Sequence, residues 1–284
     1  MKIGFIGLGK MGSVMAPHLV DDNTELLGFD ISWQMPADSP VSRVGAVSEL
    51  ADCSCIFTML PDGGVVLKII DQLVDAGSTA LIIDMSSCHP DTSKSLEATL
   101  ASKDIPFLDA PVSGGVAKAL SASLMIMVGG DAANYAIAEP LLEKMGTPSH
   151  IGPNGAGYAM KALNNYVSAA GLVSSFQALA TARSFGISPE DFQAVINKST
   201  GRNNTTEVKI DKFVLTEAYN SGFALELMAK DVGIASDIIS KSGFDTPITA
   251  VLADYLLDAL DTLDGNPDHT EIYRHITESA IKKP

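Results

Sequence analysis

The sequence predicts an α/β chain in which a doubly wound parallel sheet, residues 1–155, precedes an all-helical second half, residues 156–284. Three observations predict it. Up to about residue 150, short apolar runs of strand length alternate with helical stretches and turn glycines, the pattern of a wound sheet. Beyond that point the apolar spacing is helical almost to the end. At the junction stands the stretch 155–165, G-A-G-Y-A-M-K-A-L-N-N, whose Lys161, Asn164 and Asn165 fall at i, i+3 and i+4 on one helix face.

Residues 2–7 form a β-rich run that leads into Gly7-Leu8-Gly9-Lys10-Met11-Gly12 and then an apolar-periodic helix through Val14, Met15, Leu19 and Val20. Strand, G-x-G-x-x-G, helix is the arrangement that binds a dinucleotide, so Gly7, Leu8, Gly9, Lys10, Met11 and Gly12 are candidate cofactor contacts. Gly7 permits the tight turn, Gly9 lets a pyrophosphate approach the backbone, and Gly12 lets helix and strand pack closely. The phosphates would sit on the helix N-terminus, whose N–H groups and dipole favour anions. The next strand, 25–30, ends in Asp30 about 20 residues past the motif, where a carboxylate accepts from both ribose hydroxyls and repels a 2′-phosphate. No Arg or Lys occurs between Ile31 and Arg43, so the cofactor read from these residues is NAD rather than NADP.

The loop 33–40 is rich in Pro, Asp and Ser; its Trp33 either covers an adenine or packs on the surface. Residues 53–60 are the next strand, in which Cys53 and Cys55 fit period-2 burial better than metal ligation. It stops at Pro61-Asp62-Gly63-Gly64, a turn over the carboxyl edge of the sheet where ligands bind, which makes Leu60 and Pro61 candidate cofactor contacts. Strand 79–84 runs into Met85-Ser86-Ser87, whose hydroxyls either contact a ligand or cap the turn before His89-Pro90. His89 precedes a proline at a helix start and reads as structural. After strand 105–110, Pro111-Val112-Ser113-Gly114-Gly115 opens a helix with a second nest of backbone N–H groups, suited to a carboxylate other than the cofactor's. A strand at 124–128, the turn Gly129-Gly130-Asp131 and a helix to Lys144 complete this half.

In the second half, the helix holding Lys161 runs to about Phe185, with Ala, Val and Leu around much of its circumference, as in a central buried helix. One ammonium and two carboxamides on such a helix require partners or a ligand. Ser188-Pro189-Glu190 starts another helix. Leu225, Met228, Val232, Ala235 and Ile239 form an apolar stripe; Lys230 and Asp231 beside it read, on their own, as a solvent-exposed pair. Residues 247–263 make a further amphipathic helix, and Asp268-His269-Thr270 precedes a last one, with His269 a capping-loop residue.

Composition narrows the class. The 284 residues suffice for one large or two ordinary domains, and the 46% hydrophobic content, with mean hydropathy +0.21, is that of a globular chain. No apolar run approaches the roughly 18 residues of a membrane span. The net charge of −15 excludes nucleic acid and anionic membrane surfaces as partners, so an anionic ligand must be held by local donors. Three cysteines, few and odd in number, fit a reducing cytoplasm. No His, Cys and acid cluster implies a metal.

Together, G-F-I-G-L-G-K-M-G near the N-terminus, D-M-S-S at 84–87, D-A-P-V-S-G-G at 109–115, G-x-G-x-x-x-K-x-x-N-N at 155–165 and M-A-K-D at 228–231 resemble the β-hydroxyacid dehydrogenase family, over nearly the whole chain. That family includes 3-hydroxyisobutyrate, tartronate-semialdehyde and L-threonate dehydrogenases or reductases. The resemblance implies a Rossmann-type N-terminal domain, an all-helical domain that builds the dimer, and a substrate cleft between them. It also implies that Lys161 is the catalytic lysine, Asn165 its supporting amide, and Ser113, Gly114 and Gly115 the substrate-carboxylate loop. Ser87 would be the cofactor-contacting hydroxyl, and Lys230 the lysine that approaches cofactor and substrate. The chain departs from many members at Lys118, Leu120 and Ser121, and its loop 199–204 maps onto no one subfamily.

The expected activity is hydride transfer between NAD and the carbinol carbon of a small β-hydroxy acid. Lys161 would take the hydroxyl proton in oxidation and return it in reduction, once burial and a second cation such as Lys230 bring its pKa below about 10.4. Asn164 and Asn165 would contact substrate beside it. The apolar helical half predicts a homodimer or homotetramer. Two rivals stand beside it: an imine reductase on the same architecture, which generally lacks a lysine at position 161, and a non-catalytic dinucleotide-binding regulator, which would keep the N-terminal glycines and Asp30 but has no use for the cluster around Lys161.

Overall fold

A computed structural model describes residues 1–32, 34, 36, 38–244 and 246–281; Trp33, the candidate adenine cover, lies outside the described residues. The chain forms two compact units, Met1–Lys161 and Ala162–Pro284. The first is built on β1 (Lys2–Ile6), β2 (Glu25–Phe29), β3 (Ser42–Arg43), β4 (Cys55–Thr58), β5 (Leu81–Asp84), β6 (Phe107–Asp109), β7 (Val112–Ser113), β8 (Leu124–Gly130) and β9 (Gly146–Gly152). They join in the order β3-β2-β1-β4-β5-β6-β8-β7, with β9 also paired to β8. From β3 to β6 the pairs are parallel, and β8 runs antiparallel to β6 and β7. The chain reverses its direction of sheet growth between β1 and β4, the crevice where open sheets of this kind bind ligands.

Both faces of this sheet are covered, which is why β4 and β5 are buried at every position. Successive residues feed opposite layers: Phe5, Phe57 and Ile83 one core, Ile6, Ile56 and Ile82 the other. The alternation expected at the cysteines holds for Cys53, Ser54 and Cys55 and ends there. The helices α1 (Gly12–Met15), α2 (Gly63–Asp75), α3 (Pro90–Ala101), α4 (Gly115–Leu120) and α5 (Ala132–Leu142) complete the layers. Several starts are capped by the side chains that the turns supply: Asp62 accepts from the Val65 amide, His89 from Asp91, and Asp131 from Ala133 and Asn134. His89 is thus structural, as its place before Pro90 suggests.

Two expectations for this unit need correction. The helix after the glycine turn is not continuous to Val20: α1 gives way to a 3-10 turn, Ala16–Leu19, with Pro17 at its start, and Val20 is extended. Proline has no N–H to continue the α ladder and crowds the preceding turn. The unit also does not end with α5, because β9 pairs in parallel with β8 from Gly146 to Gly152. Its sequence, G-T-P-S-H-I-G, carries no strand signal; a Cβ at Gly146 would lie 2.0 Å from the Leu124 carbonyl oxygen, so glycine is what admits the pairing.

The helix α6 (Ala156–Ser184) begins in the first unit and continues through the second, joined there by α7 (Pro189–Ile196), a π-helix (Thr205–Val214), α8 (Leu225–Ser242), α9 (Pro247–Thr262) and α10 (Ile272–Ile281). Ala169, Leu172, Phe176 and Leu179 of α6 pack with Leu225, Met228 and Val232 of α8, Leu252 and Leu256 of α9, and Ile272 and Tyr273 of α10. Ser188 caps α7 and Gly243, at φ +81, ends α8 in the left-handed conformation. The expectation that α6 is buried around most of its circumference is not met. Val167 is 68% exposed and Met160 43%, because one apolar face is enough to fill the core of a single chain. Among the described residues, no helix is long and apolar enough to cross a membrane.

Candidate active site

The dinucleotide turn is assembled as its spacing requires. A Cβ at Gly7 would lie 2.2 Å from the Met59 carbonyl oxygen and one at Gly12 would lie 1.9 Å from that of Gly7, so both positions are closed to any larger residue. Gly9 is exposed and would meet nothing within 4 Å, which leaves its backbone open to a ligand. Lys10 is exposed beside it, Met11 is half-buried, and the Leu8 side chain is core. The Leu8 amide donates to Asp30 Oδ2 at 2.8 Å and the Ser32 amide to Oδ1 at 2.7 Å, so the carboxylate is held at the tip of β2 beside the turn. An open glycine, a helix start without a side-chain cap and a fixed acid at the end of the second strand fit a dinucleotide with a free ribose 2′-hydroxyl.

The carboxyl ends of β4, β5 and β6 carry a buried polar cluster. Asp84 accepts from the hydroxyls of Thr58, Ser86 and Tyr158, and Ser86 Oγ in turn accepts from the Leu60 amide at 2.8 Å. Of the two serines after β5, Ser86 is therefore a brace, while Ser87 is half-exposed at the same edge, as is Leu60; Pro61 is exposed. Burial pushes the Asp84 carboxyl above the usual range against those hydrogen bonds. Asp109, fully buried, accepts from the Gly155 amide at 2.7 Å, the Tyr158 amide at 2.9 Å and Ser93 Oγ at 3.2 Å. Burial raises its pKa to about 6 in spite of these donors.

Ser113 ends β7, and Gly114 (φ +139) and Gly115 (φ +66) turn the chain into α4. Both glycines are exposed; the Lys118 side chain lies over Gly114, whose added Cβ would come within 2.6 Å of it, while Gly115 is open. The helix that this loop opens packs on the helix that the dinucleotide turn opens, and His18 Nε2 lies 2.9 Å from the Ala119 carbonyl oxygen. The candidate carboxylate nest and the candidate phosphate turn are thus joined within one unit. Ser121 is exposed and bonds to the backbone of α4 and to Ser123.

On α6, Lys161 is half-buried and Asn165 stands one turn later, 6% exposed. Within the helical unit, Asn165 Nδ2 donates to Asp231 Oδ2 at 2.5 Å, Asn164 Nδ2 donates to Asn165 Oδ1 at 3.0 Å, and Lys230 Nζ lies 3.7 Å from Asp231 Oδ1. Lys230 and Asp231 are not the solvated pair that they suggest on their own. Asp231 is 2% exposed because it sits on the apolar stripe itself, three residues after Met228 and four before Ala235. That placement, and the acids closing the apolar runs L-I-I-D and F-L-D, are signals that the motif reading did not use for Asp231, Asp84 and Asp109. The loop 199–204 is tied to α6 by Asn203, whose Nδ2 donates to Ser175 Oγ at 2.9 Å and whose Oδ1 accepts from Thr205 at the start of the π-helix.

Comparison with known proteins agrees with this architecture. Residues 2–157 match the family profile described as the NAD binding domain of 6-phosphogluconate dehydrogenase, and residues 155–276 that described as NAD-binding of NADP-dependent 3-hydroxyisobutyrate dehydrogenase. The chain is 34% identical over 265 residues to 2-(hydroxymethyl)glutarate dehydrogenase of Eubacterium barkeri, covering 88% of this chain and 86% of the relative. It is 35% identical over 287 residues to the mitochondrial 3-hydroxyisobutyrate dehydrogenase of Drosophila melanogaster, covering 96% and 88%. Among solved structures it is similar to Mycobacterium tuberculosis 3-hydroxyisobutyrate dehydrogenase with L-serine, at TM-score 0.86 and 30% identity over 97% of this chain and 98% of that one. With matches of this extent on both halves, the chain belongs to the β-hydroxyacid dehydrogenase family of NAD-dependent oxidoreductases.

Proposed function

We propose that the protein interconverts a small β-hydroxy acid and its semialdehyde or keto form, with Lys161 as the general acid and base. The observation that carries this reading is the placement of Lys161 on α6 one turn ahead of a buried, hydrogen-bonded Asn165. Bound NAD supplies the hydride acceptor, and its reduced form the donor. Gly7, Leu8, Gly9, Lys10, Met11 and Gly12 would hold its phosphates, Asp30 its adenosine ribose, and Leu60, Pro61 and Ser87 would line the sheet edge toward its reactive end. Lys230 would approach both cofactor and substrate. The amides of Ser113, Gly114 and Gly115 would take the substrate carboxylate and so fix which carbon faces the hydride. Lys161 Nζ would then accept the hydroxyl proton during oxidation and donate it during reduction, while Asn164 and Asn165 orient substrate and ammonium.

We further propose self-association through the helical unit. A groove of about 1250 Å³ between α6, α9 and α10 is lined by Val173, Val251, Tyr255 and Ile276, and Ile248 and Val251 on its rim are 62% and 65% exposed. An apolar surface of that kind suits a second copy of the chain, as dimer or tetramer. The three buried thiols, Cys53, Cys55 and Cys88, suit a reducing cytoplasm.

The test is NAD reduction with a panel of 3-hydroxyisobutyrate, 3-hydroxypropionate, glycerate, threonate, L-serine and 2-(hydroxymethyl)glutarate, and NADH oxidation with short semialdehydes. Turnover of at least one pair is expected. Turnover of a cyclic imine with none of these would assign the chain to imine reduction instead.

A further inference from the structure

We infer that Asp109 and Tyr158 are positioning residues for the proton transfer at Lys161, holding the first turn of α6 against the carboxyl ends of β4, β5 and β6; this rests on the proposed role of Lys161. The first amides of a helix have no partner within it, and a residue just ahead of the helix ordinarily supplies the cap. The start of α6 is capped from far away. Asp109, 46 and 49 residues earlier in sequence, takes the Gly155 amide on Oδ1 and the Tyr158 amide on Oδ2, so both oxygens of one carboxylate grip the same turn.

The backbone is pressed onto β6 and onto β8, its neighbour in the sheet. A Cβ at Gly157 would lie 2.4 Å from the Met127 carbonyl oxygen of β8 and 2.5 Å from that of Asp109 in β6, a closeness that only glycine allows. One residue on, Tyr158 is wholly buried in the layer that holds Ile6, Ile56 and Ile82. Its hydroxyl donates to Asp84 at the end of β5, which also takes the Thr58 hydroxyl at the end of β4. Three adjacent parallel strands thus fix one helical turn through two carboxyl groups and a phenol.

Lys161 stands three residues after Tyr158, less than one turn along the same helix. A displacement of the anchored turn is therefore passed directly to its ammonium, and misplacement by about 1 Å can cost on the order of 10²-fold in rate. None of these groups reaches a reacting atom through its own chemistry: both oxygens of Asp109 and the Tyr158 hydroxyl are already committed inside the fold. Their effect on turnover runs through Lys161.

The experiment compares Asp109→Asn and Tyr158→Phe, each alone and combined with Lys161→Ala, on the best substrate of the panel above. The readouts are kcat, KM for NAD, NADH binding stoichiometry and thermal midpoint. Asp109→Asn should lower kcat about tenfold or more with KM for NAD within about twofold and full NADH stoichiometry, and Tyr158→Phe should act in the same direction but less. In the Lys161→Ala background neither should lower the residual rate further, since a residue acting through the lysine has nothing left to position. Unchanged kcat in the two single variants, or losses that multiply with that of Lys161→Ala, would overturn the positioning role alone. Full turnover by Lys161→Ala would overturn the proton-transfer reading and this one with it. Should Asp109→Asn fail to fold, Tyr158→Phe, which keeps the ring and the capped amide, decides by the same criteria.

Discussion

Asn165 on α6 donates to Asp231 on α8 at 2.5 Å, and both residues are almost wholly buried. Replacing Asp231 by Ala leaves the buried Asn165 carboxamide without that acceptor, at a cost of about 1–3 kcal/mol. We expect a lower thermal midpoint and a lower kcat, with Asp231→Asn milder in both. Unchanged stability and unchanged kcat in Asp231→Ala would show that the bond has no consequence.

The carboxylate of Asp30 is fixed by the Leu8 and Ser32 amides, and the neighbouring Ile31 is 91% exposed. Asp30→Ala should raise KM for NAD more than it lowers kcat, because it removes binding common to ground and transition states. Adding Ile31→Arg should shift preference toward NADP by supplying a cation for a 2′-phosphate. Equal use of NAD and NADP by the unmodified protein contradicts the assignment.

The groove of the helical unit predicts assembly. Val251→Glu places a charge on its exposed rim and should shift the oligomer toward monomer in light scattering at micromolar concentration. A monomeric parent protein removes the claim.

Lys209 lies on the π-helix, 9% exposed, and burial lowers its pKa to about 8. The unfolded chain keeps that proton up to about 10.4, so between these values it binds more protons than the folded chain and stability rises with pH. Below pH 8 the folded state carries the buried charge. Lys209→Met, which keeps an unbranched stem, should therefore raise the thermal midpoint at pH 7 by the equivalent of at most about 3 kcal/mol, with the gain shrinking toward pH 10. A gain of the same size at both pH values would place its origin elsewhere.

Much of the first unit was legible because its signals are local. The glycines of the dinucleotide turn and Asp30 are set by spacing along one strand, turn and strand, and in the second unit Ser188 and Pro189 mark a helix start by their own conformational preferences. What was not legible depends on partners distant in sequence. β9 has no strand propensity and exists because β8 offers it an edge; the start of the π-helix is fixed by Asn203, which reaches both Ser175 and its own downstream amides. Asp84 and Asp109 stood within quoted motifs, yet their roles are visible only once Tyr158 and Gly155 arrive from 46 to 74 residues away. Lys161, Asn164 and Asn165 were legible as a helix face. That Asn165 turns to Asp231 was not, since the second helix contributes the acid.

The central claim is the proton transfer at Lys161, and the most direct measurement is the steady-state kcat of Lys161→Ala beside its NADH affinity. The account predicts NADH binding close to that of the parent and turnover lower by roughly 10² to 10⁴, with no rescue by Lys161→Arg, whose guanidinium stays protonated. Near-full kcat in Lys161→Ala, with loss instead in Ser113→Ala or Lys230→Ala, would contradict it.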